Sequence, residues 1–128
     1  MAGALLLDTD VLIDYLRGQA EAVAFLQQAD QALQVSSVTV AELYVGVREG
    51  REREVLDRFI ALLEKVDLNS AIAVRAGLWR RDYGKSHGTG LMDALIAATA
   101  QHADSTLVTL NAKHFPMLKE VLVPYRKN

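Results

Sequence analysis

Ala4-Leu5-Leu6-Leu7-Asp8-Thr9-Asp10-Val11-Leu12-Ile13 is an unbroken apolar run that ends on an acid and passes at once into a second apolar segment. Such a run reads as a buried strand feeding a helix, and in an open parallel sheet the carboxyl end of a strand is where ligands bind. Two further carboxylates, Glu42 and Asp93, are likewise expected at the start of helices, and Glu42, like Asp8, follows an apolar strand-like run. Three acids scattered along the chain are therefore candidates to meet in one pocket.

Working outward, short apolar runs alternate with longer amphipathic ones. The pattern predicts strands at Ala4 to Asp8, Leu33 to Ser36, Val66 to Leu68, Thr106 to Thr109 and Glu120 to Val123. It predicts helices from Asp10 to Leu16, Glu21 to Ala32, Thr39 to Val47, Glu52 to Lys65, Ser70 to Tyr83 and Leu91 to His102, with Gly84 to Gly90 as a loop. No linker, repeat or low-complexity tract interrupts the series. This is an α/β pattern with a parallel sheet, expected as one domain over residues 1–128.

Composition narrows the function classes. At 51% hydrophobic and 23% charged residues the chain is globular in character. The absence of cysteine excludes disulfides and thiolate metal sites. The apolar stretches are too short for a membrane span, and the N-terminus lacks the features of a signal peptide, so a cytoplasmic protein without a membrane partner is expected. A net charge of -2 argues against a DNA coat protein but not against an RNA substrate. Arg48, Arg51, Arg53 and Arg58 are interleaved with acids and read as a solvated face. Arg75, Arg80, Arg81, Lys85 and His87 are less neutralised and are the better phosphate candidates.

Each acid also has a purely structural reading. Glu42 fits a capping box with Thr39, Asp10 and Thr9 suit N-caps, and Asp93 suits the positive end of its helix. Taken together they point elsewhere. Asp93 opens Leu91-Met92-Asp93-Ala94-Leu95-Ile96-Ala97-Ala98, a helix apolar on nearly every side, and no lysine or arginine lies within five residues of it. An unpaired charge near the core edge is expensive, and a divalent metal shared with Asp8 and Glu42 would offset it. Hard oxygen ligands select Mg²⁺ or Mn²⁺.

Four segments carry a family resemblance: Leu7 to Ile13, then Ser37-Val38-Thr39-Val40-Ala41-Glu42-Leu43-Tyr44-Val45-Gly46, then Asp93 to Ala100, then Val108-Thr109-Leu110-Asn111-Ala112-Lys113-His114-Phe115. In this order they resemble the PIN-domain ribonucleases, specifically the VapC-like toxins of toxin–antitoxin pairs. The resemblance implies a Rossmann-like three-layer α/β/α domain with a central parallel β-sheet whose catalytic acids Asp8, Glu42 and Asp93 gather at one end. It implies metal-dependent endoribonuclease action leaving a 5′-phosphate and a 3′-hydroxyl. Asp8 and Asp93 would ligate Mg²⁺, with Mn²⁺ as substitute, while Glu42 completes the shell or orients water. Thr9, Asp10 and Thr109 would stand behind them. A homodimer and a VapB-like antitoxin that inhibits it are implied partners. Asn111 stands where many relatives carry a fourth acid, which leaves a second metal open.

Competing readings explain less. Asp8 to Leu12 also looks like the nucleophile motif of haloacid-dehalogenase-like phosphatases, but that reading leaves Glu42 and Asp93 idle. A phosphoacceptor signalling domain would use Asp8, Asp10, Asp67, Thr109 and Lys113, yet needs a strand within Ser70 to Ala103 where two successive helices are predicted. A catalytically silent PIN-fold binding domain is the remaining alternative. Gly84-Lys85-Ser86 lacks the upstream glycine of a phosphate-binding loop. His87, His102 and His114 lack metal-ligand spacing and are expected as surface or hydrogen-bonding residues. Arg126 and Lys127 are candidates for RNA contact or for solvating the terminus.

Overall fold

In the computed structural model, which describes residues 3–126, five strands form one sheet in the order β3-β2-β1-β4-β5, and every pairing is parallel. The elements are β1 (Leu5–Leu7), α1 (Thr9–Leu16), α2 (Ala20–Gln28), β2 (Leu33–Ser36), α3 (Ser37–Val45), α4 (Arg51–Leu62), β3 (Glu64–Val66), α5 (Ser70–His87), α6 (Leu91–His102), β4 (Thr106–Val108) and β5 (Val121–Leu122), with a 3₁₀ turn at Ala112–His114. The expected α/β/α layering is present. Successive side chains of a strand face opposite sides, and β1 shows the consequence: Leu5 and Leu7 enter one core with α1, α2 and α4, while Leu6 enters the other with α5 and α6. Val108 and Leu107 of β4 divide the same way. Because both faces are covered, the strands read as continuous apolar runs rather than as alternation.

On the α5–α6 side, Ala76, Ala94, Ala97, Ala98 and Ala100 are all buried, and these short side chains let the two helices approach closely beneath Trp79 and Phe115. Among the described residues no helix is long and apolar enough to cross a membrane.

Several predicted boundaries shift, each for a tertiary reason. Helix α2 stops at Gln28, four residues early, because Ala32 already lends its carbonyl to the Leu5 amide at 2.9 Å as the chain enters the sheet. Helix α3 starts at Ser37, since the Ser36 hydroxyl accepts from the Val38 amide and caps it. Helix α4 ends at Leu62, where Lys65 Nζ donates to the carbonyls of Ile60 and Leu63, so β3 begins two residues before its expected start. Helix α5 runs on through Gly84 to His87 and is terminated by Gly88 in the left-handed region at φ 67°, so the predicted loop shrinks to three residues.

Candidate active site

The sheet order turns back between β1 and β4, and the crevice outside the carboxyl ends of those two strands is a topological switch point. Asp8 occupies it as the residue after β1 and the N-cap of α1. Its amide donates to the Val108 carbonyl at 2.9 Å, carrying the sheet one bond further. Oδ1 accepts from the Thr9 amide at 2.8 Å, and Oδ2 accepts from the Thr109 hydroxyl at 2.7 Å, so one carboxylate ties the end of β1 to the end of β4.

Asp8 is only 6% exposed, and ionising it there is unfavourable. Its pKa is pushed up to about 7, first by burial, then by the negative charge of Asp10, with Asp93 adding to it; the bonds from Thr109 and Thr9 pull the other way.

Asp10 is not the N-cap of its helix, since α1 begins one residue before it. Its Oδ1 accepts from the Val11 amide at 2.7 Å, and its Oδ2 accepts from the Leu110 amide and from Asn111 Nδ2, both at 3.1 Å. Asp10 and Asn111 thus clamp the start of α1 to the segment after β4, and the Asn111 amide in turn donates to Thr109 Oγ1 at 3.1 Å.

Glu42 lies in the sixth position of α3 rather than at its start, and the capping box with Thr39 does not form. Instead Thr9 Oγ1 lies 2.7 Å from Glu42 Oε1 and 3.0 Å from the buried Thr39 hydroxyl. The single hydroxyl hydrogen of Thr9 goes to the carboxylate, which only accepts when ionised, so Thr39 donates to Thr9. Thr39 is a residue whose place in this chain the sequence did not disclose.

Asp93 does act as a cap: its Oδ2 accepts from the Gly90 amide at 3.0 Å. It also has a neighbour from a distant part of the chain. His114 Nδ1 lies 3.5 Å from Asp93 Oδ2, and the His114 backbone is held by the buried Thr89, whose hydroxyl donates to the His114 carbonyl at 2.7 Å. The ring packs beside Gly88, 3.7 Å from where a Cβ there would stand, an ordinary contact distance; it is the positive φ of 67° that calls for glycine at the end of α5. His114 was expected to be a surface or hydrogen-bonding residue; the one signal for more was its place next to Phe115, a core residue that anchors the turn.

Asp8, Asp10 and Asp93 form a field of negative charge around one buried carboxylate, a donor set suited to a hard divalent cation. Among the described residues no group of three or more acidic or histidine side chains is arranged to hold a metal ion. What the structure offers is a pair, Asp8 and Asp93, close enough for the charge of one to act on the other, and Mg²⁺ is an ion that takes only one or two carboxylates and keeps several waters.

Of the two arginine segments, the first is partly neutralised: Arg48 pairs with Glu52, and Arg53 with Glu49 and Asp57. The second lies along α5 with exposed side chains, and its last members, Lys85 and His87, stand close before Asp93 in the chain. A separate groove of about 810 Å³ begins at Glu42 and runs between α1, α3 and α4, with apolar walls from Ile13, Leu43, Val47 and Val55 and exposed arginines beside them.

Comparison with known proteins agrees with this geometry. A family model described as the PIN domain matches residues 5–119. Ribonuclease VapC10 of Mycobacterium tuberculosis strain H37Rv is 44% identical over 124 residues, covering 94% of this chain and 92% of that protein. Ribonuclease VapC19 of the same strain is 36% identical, over 94% of this chain and 98% of that protein. Among solved structures, a chain of a toxin–antitoxin complex from Klebsiella pneumoniae superposes with a TM-score of 0.83 at 28% identity, covering 96% of this chain and 99% of that one. A chain of VapBC2 from Rickettsia felis, bound to a DNA fragment from its promoter, gives 0.73 at 25% identity, over 93% and 96%.

Proposed function

The chain belongs to the PIN domain family, and on that premise we propose that it is a divalent-metal-dependent endoribonuclease acting as the toxin of a toxin–antitoxin pair, with Asp8, Glu42 and Asp93 as its catalytic acids. The observation that carries the reading is Asp8 itself, buried at the switch point and placed among negative charges that oppose its ionisation. A structural cap at a helix N-terminus has no need of such a neighbourhood.

Asp8 and Asp93 would hold Mg²⁺, or Mn²⁺ in its place. Bound there, the ion would supply a lower pKa for an attacking water and positive charge to offset that of a phosphate oxygen. The protein supplies orientation. Thr109 and the Thr9 amide fix both oxygens of Asp8, the Gly90 amide and His114 hold Oδ2 of Asp93, and the Thr9 hydroxyl aims Glu42, an exposed carboxylate able to take the proton of the water. Lys85, His87 and the arginines of α5 provide phosphate contacts on the Asp93 side.

The groove that starts at Glu42 suits the antitoxin. An apolar helix laid along Ile13, Leu43, Val47 and Val55 would bring an arginine of that partner to the acids. The relatives solved as toxin–antitoxin complexes support this assignment. Exposed Leu68, Val74 and Leu78 at and on α5 support a homodimer. A phosphatase of the haloacid-dehalogenase type is disfavoured, because it leaves Glu42 and Asp93 without a task.

The test is cleavage of RNA by the purified chain, followed by sequencing of the ends. Cleavage with Mg²⁺ or Mn²⁺, lost in chelator and lost in Asp93→Asn, is expected. A parent that binds RNA without cutting it would instead establish the silent binding domain, and an Asp93→Asn variant as active as the parent would remove Asp93 from the site.

A further inference from the structure

We propose that the cleft between the start of α1, the segment after β4 and the tail after β5 is a ribonucleotide subsite, in which Arg126 takes the phosphate next to the scissile one. This rests on the ribonuclease reading and adds where the strand runs once it leaves the acids. The cleft has a volume of about 380 Å³ and is lined by Asp10, Leu110, Asn111, Val123, Tyr125 and Arg126. It opens at the same edge of the sheet as the acids and shares a wall with them. The Asn111 backbone N–H donates to Thr109 Oγ1, and that hydroxyl donates to Asp8 Oδ2.

The lining matches a nucleotide in kind. Half-buried Leu110 and Val123 offer apolar surface to a base, the Asn111 amide offers a polar edge, and the exposed Arg126 offers a planar guanidinium suited to phosphate. Asp10 is the opposing charge. Its Oδ1 accepts from Val11, and its Oδ2 from Leu110 and Asn111, so it is held against the inner wall. Repulsion from it places an incoming phosphate at the Arg126 end.

The tail is pinned for this purpose. Tyr125 is 8% exposed, and its hydroxyl donates to Asp14 Oδ2 at 2.9 Å, while Asp14 on α1 is 4% exposed. A polar pair this buried costs desolvation that an apolar contact would not. What it provides is direction, because it fixes the backbone immediately before Arg126. Tyr125 is thus a positioning residue and Arg126 the RNA contact. Lys127, the other basic residue of the tail, lies outside the described residues.

The experiment measures binding of a single-stranded RNA oligonucleotide in Mn²⁺ across a range of KCl, in an Asp93→Asn parent that does not cleave. Arg126→Ala should weaken binding about tenfold and reduce the slope of log Kd against log salt by about 0.7, the value for one phosphate on a single strand. Tyr125→Phe should give a smaller loss, and the double variant should be no weaker than Arg126→Ala alone, since both act through one contact. Arg58→Ala, on the outer face of α4, should change neither quantity. An Arg126→Ala variant with the parent's affinity and slope overturns the subsite, and additive losses overturn the positioning role of Tyr125. If the unsubstituted protein cleaves RNA while Arg126→Ala binds normally, only the subsite fails. If it neither cleaves nor binds RNA, the ribonuclease reading fails and the subsite with it.

Discussion

Asp8→Asn should make the metal-free protein more stable at neutral pH while removing its activity. The buried carboxyl has its pKa pushed up from 3.8 to about 7. Its folded-state pKa is above the unfolded one, so the stability associated with protonated Asp8 is fully present below about pH 4 and is lost as pH rises to about 7. Over that window the native state holds a proton that the unfolded chain releases, and each tenfold difference in proton affinity between the two states corresponds to about 1.4 kcal/mol. A difference of about a thousandfold makes the total about 4 kcal/mol. Asparagine carries no such penalty. It can still accept from the Thr9 amide but exchanges a charged acceptor for a neutral amide opposite Thr109, a loss of about 1 kcal/mol. The net gain at pH 8 is then about 3 kcal/mol, or on the order of 10 °C in melting temperature for a chain of this size. Denaturant melts of both proteins from about pH 4 to 8.5 in chelator measure it. The difference should open between about pH 4 and 7 and level off above. A difference that stays flat with pH would refute the electrostatic account of Asp8. Adding Mn²⁺ at about pH 8 should raise the parent more than Asp8→Asn, because the variant has lost one of the two carboxylates proposed to hold the ion.

Glu42→Gln keeps an acceptor for the Thr9 hydroxyl on an exposed side chain, so its stability should stay within about 0.5 kcal/mol of the parent while cleavage falls about 100-fold or more; near-normal rates would remove Glu42 from catalysis. Asn111→Asp sets a second carboxylate beside Oδ2 of Asp10, where the amide now donates at 3.1 Å. It should lower the metal-free melting temperature near neutral pH, by an amount that shrinks as Mn²⁺ is titrated, and unchanged calorimetric affinity for Mn²⁺ would place Asn111 outside the metal site. His114→Ala retains the backbone carbonyl that Thr89 binds but frees Asp93 Oδ2 on one side; we expect Mn²⁺ affinity to fall about threefold to tenfold, and no change would make His114 a packing residue only.

Much of the architecture was legible because burial on both faces leaves a strong imprint on a strand. Leu5-Leu6-Leu7 could be read as a core strand without knowing its neighbours, and the alanine-rich run of α6 announced a helix enclosed on most sides. Helix ends were less legible. The stop of α2 depends on where Leu5 needs a hydrogen-bond partner, and the extension of α5 to His87 depends on Gly88 adopting a left-handed turn. Neither condition is expressed in local periodicity.

The acids divide along the same line. By itself the sequence determined the order of the segments that carry the acids and singled out Asp8, Glu42 and Asp93 as candidates, although it put Glu42 at a helix start rather than in the sixth position of α3. Only the tertiary structure decided what each carboxylate touches. Glu42 turned from a cap for Thr39 into a partner of Thr9, Asn111 turned toward Asp10, and Asp93 acquired His114 from a distant part of the chain. The physical reason is that propensity and capping act over about three or four residues, whereas the charge on a carboxylate is governed by whatever the fold brings within a few ångströms. A sequence encodes the first directly, and the second only after the sheet has brought the ends of β1 and β4 side by side.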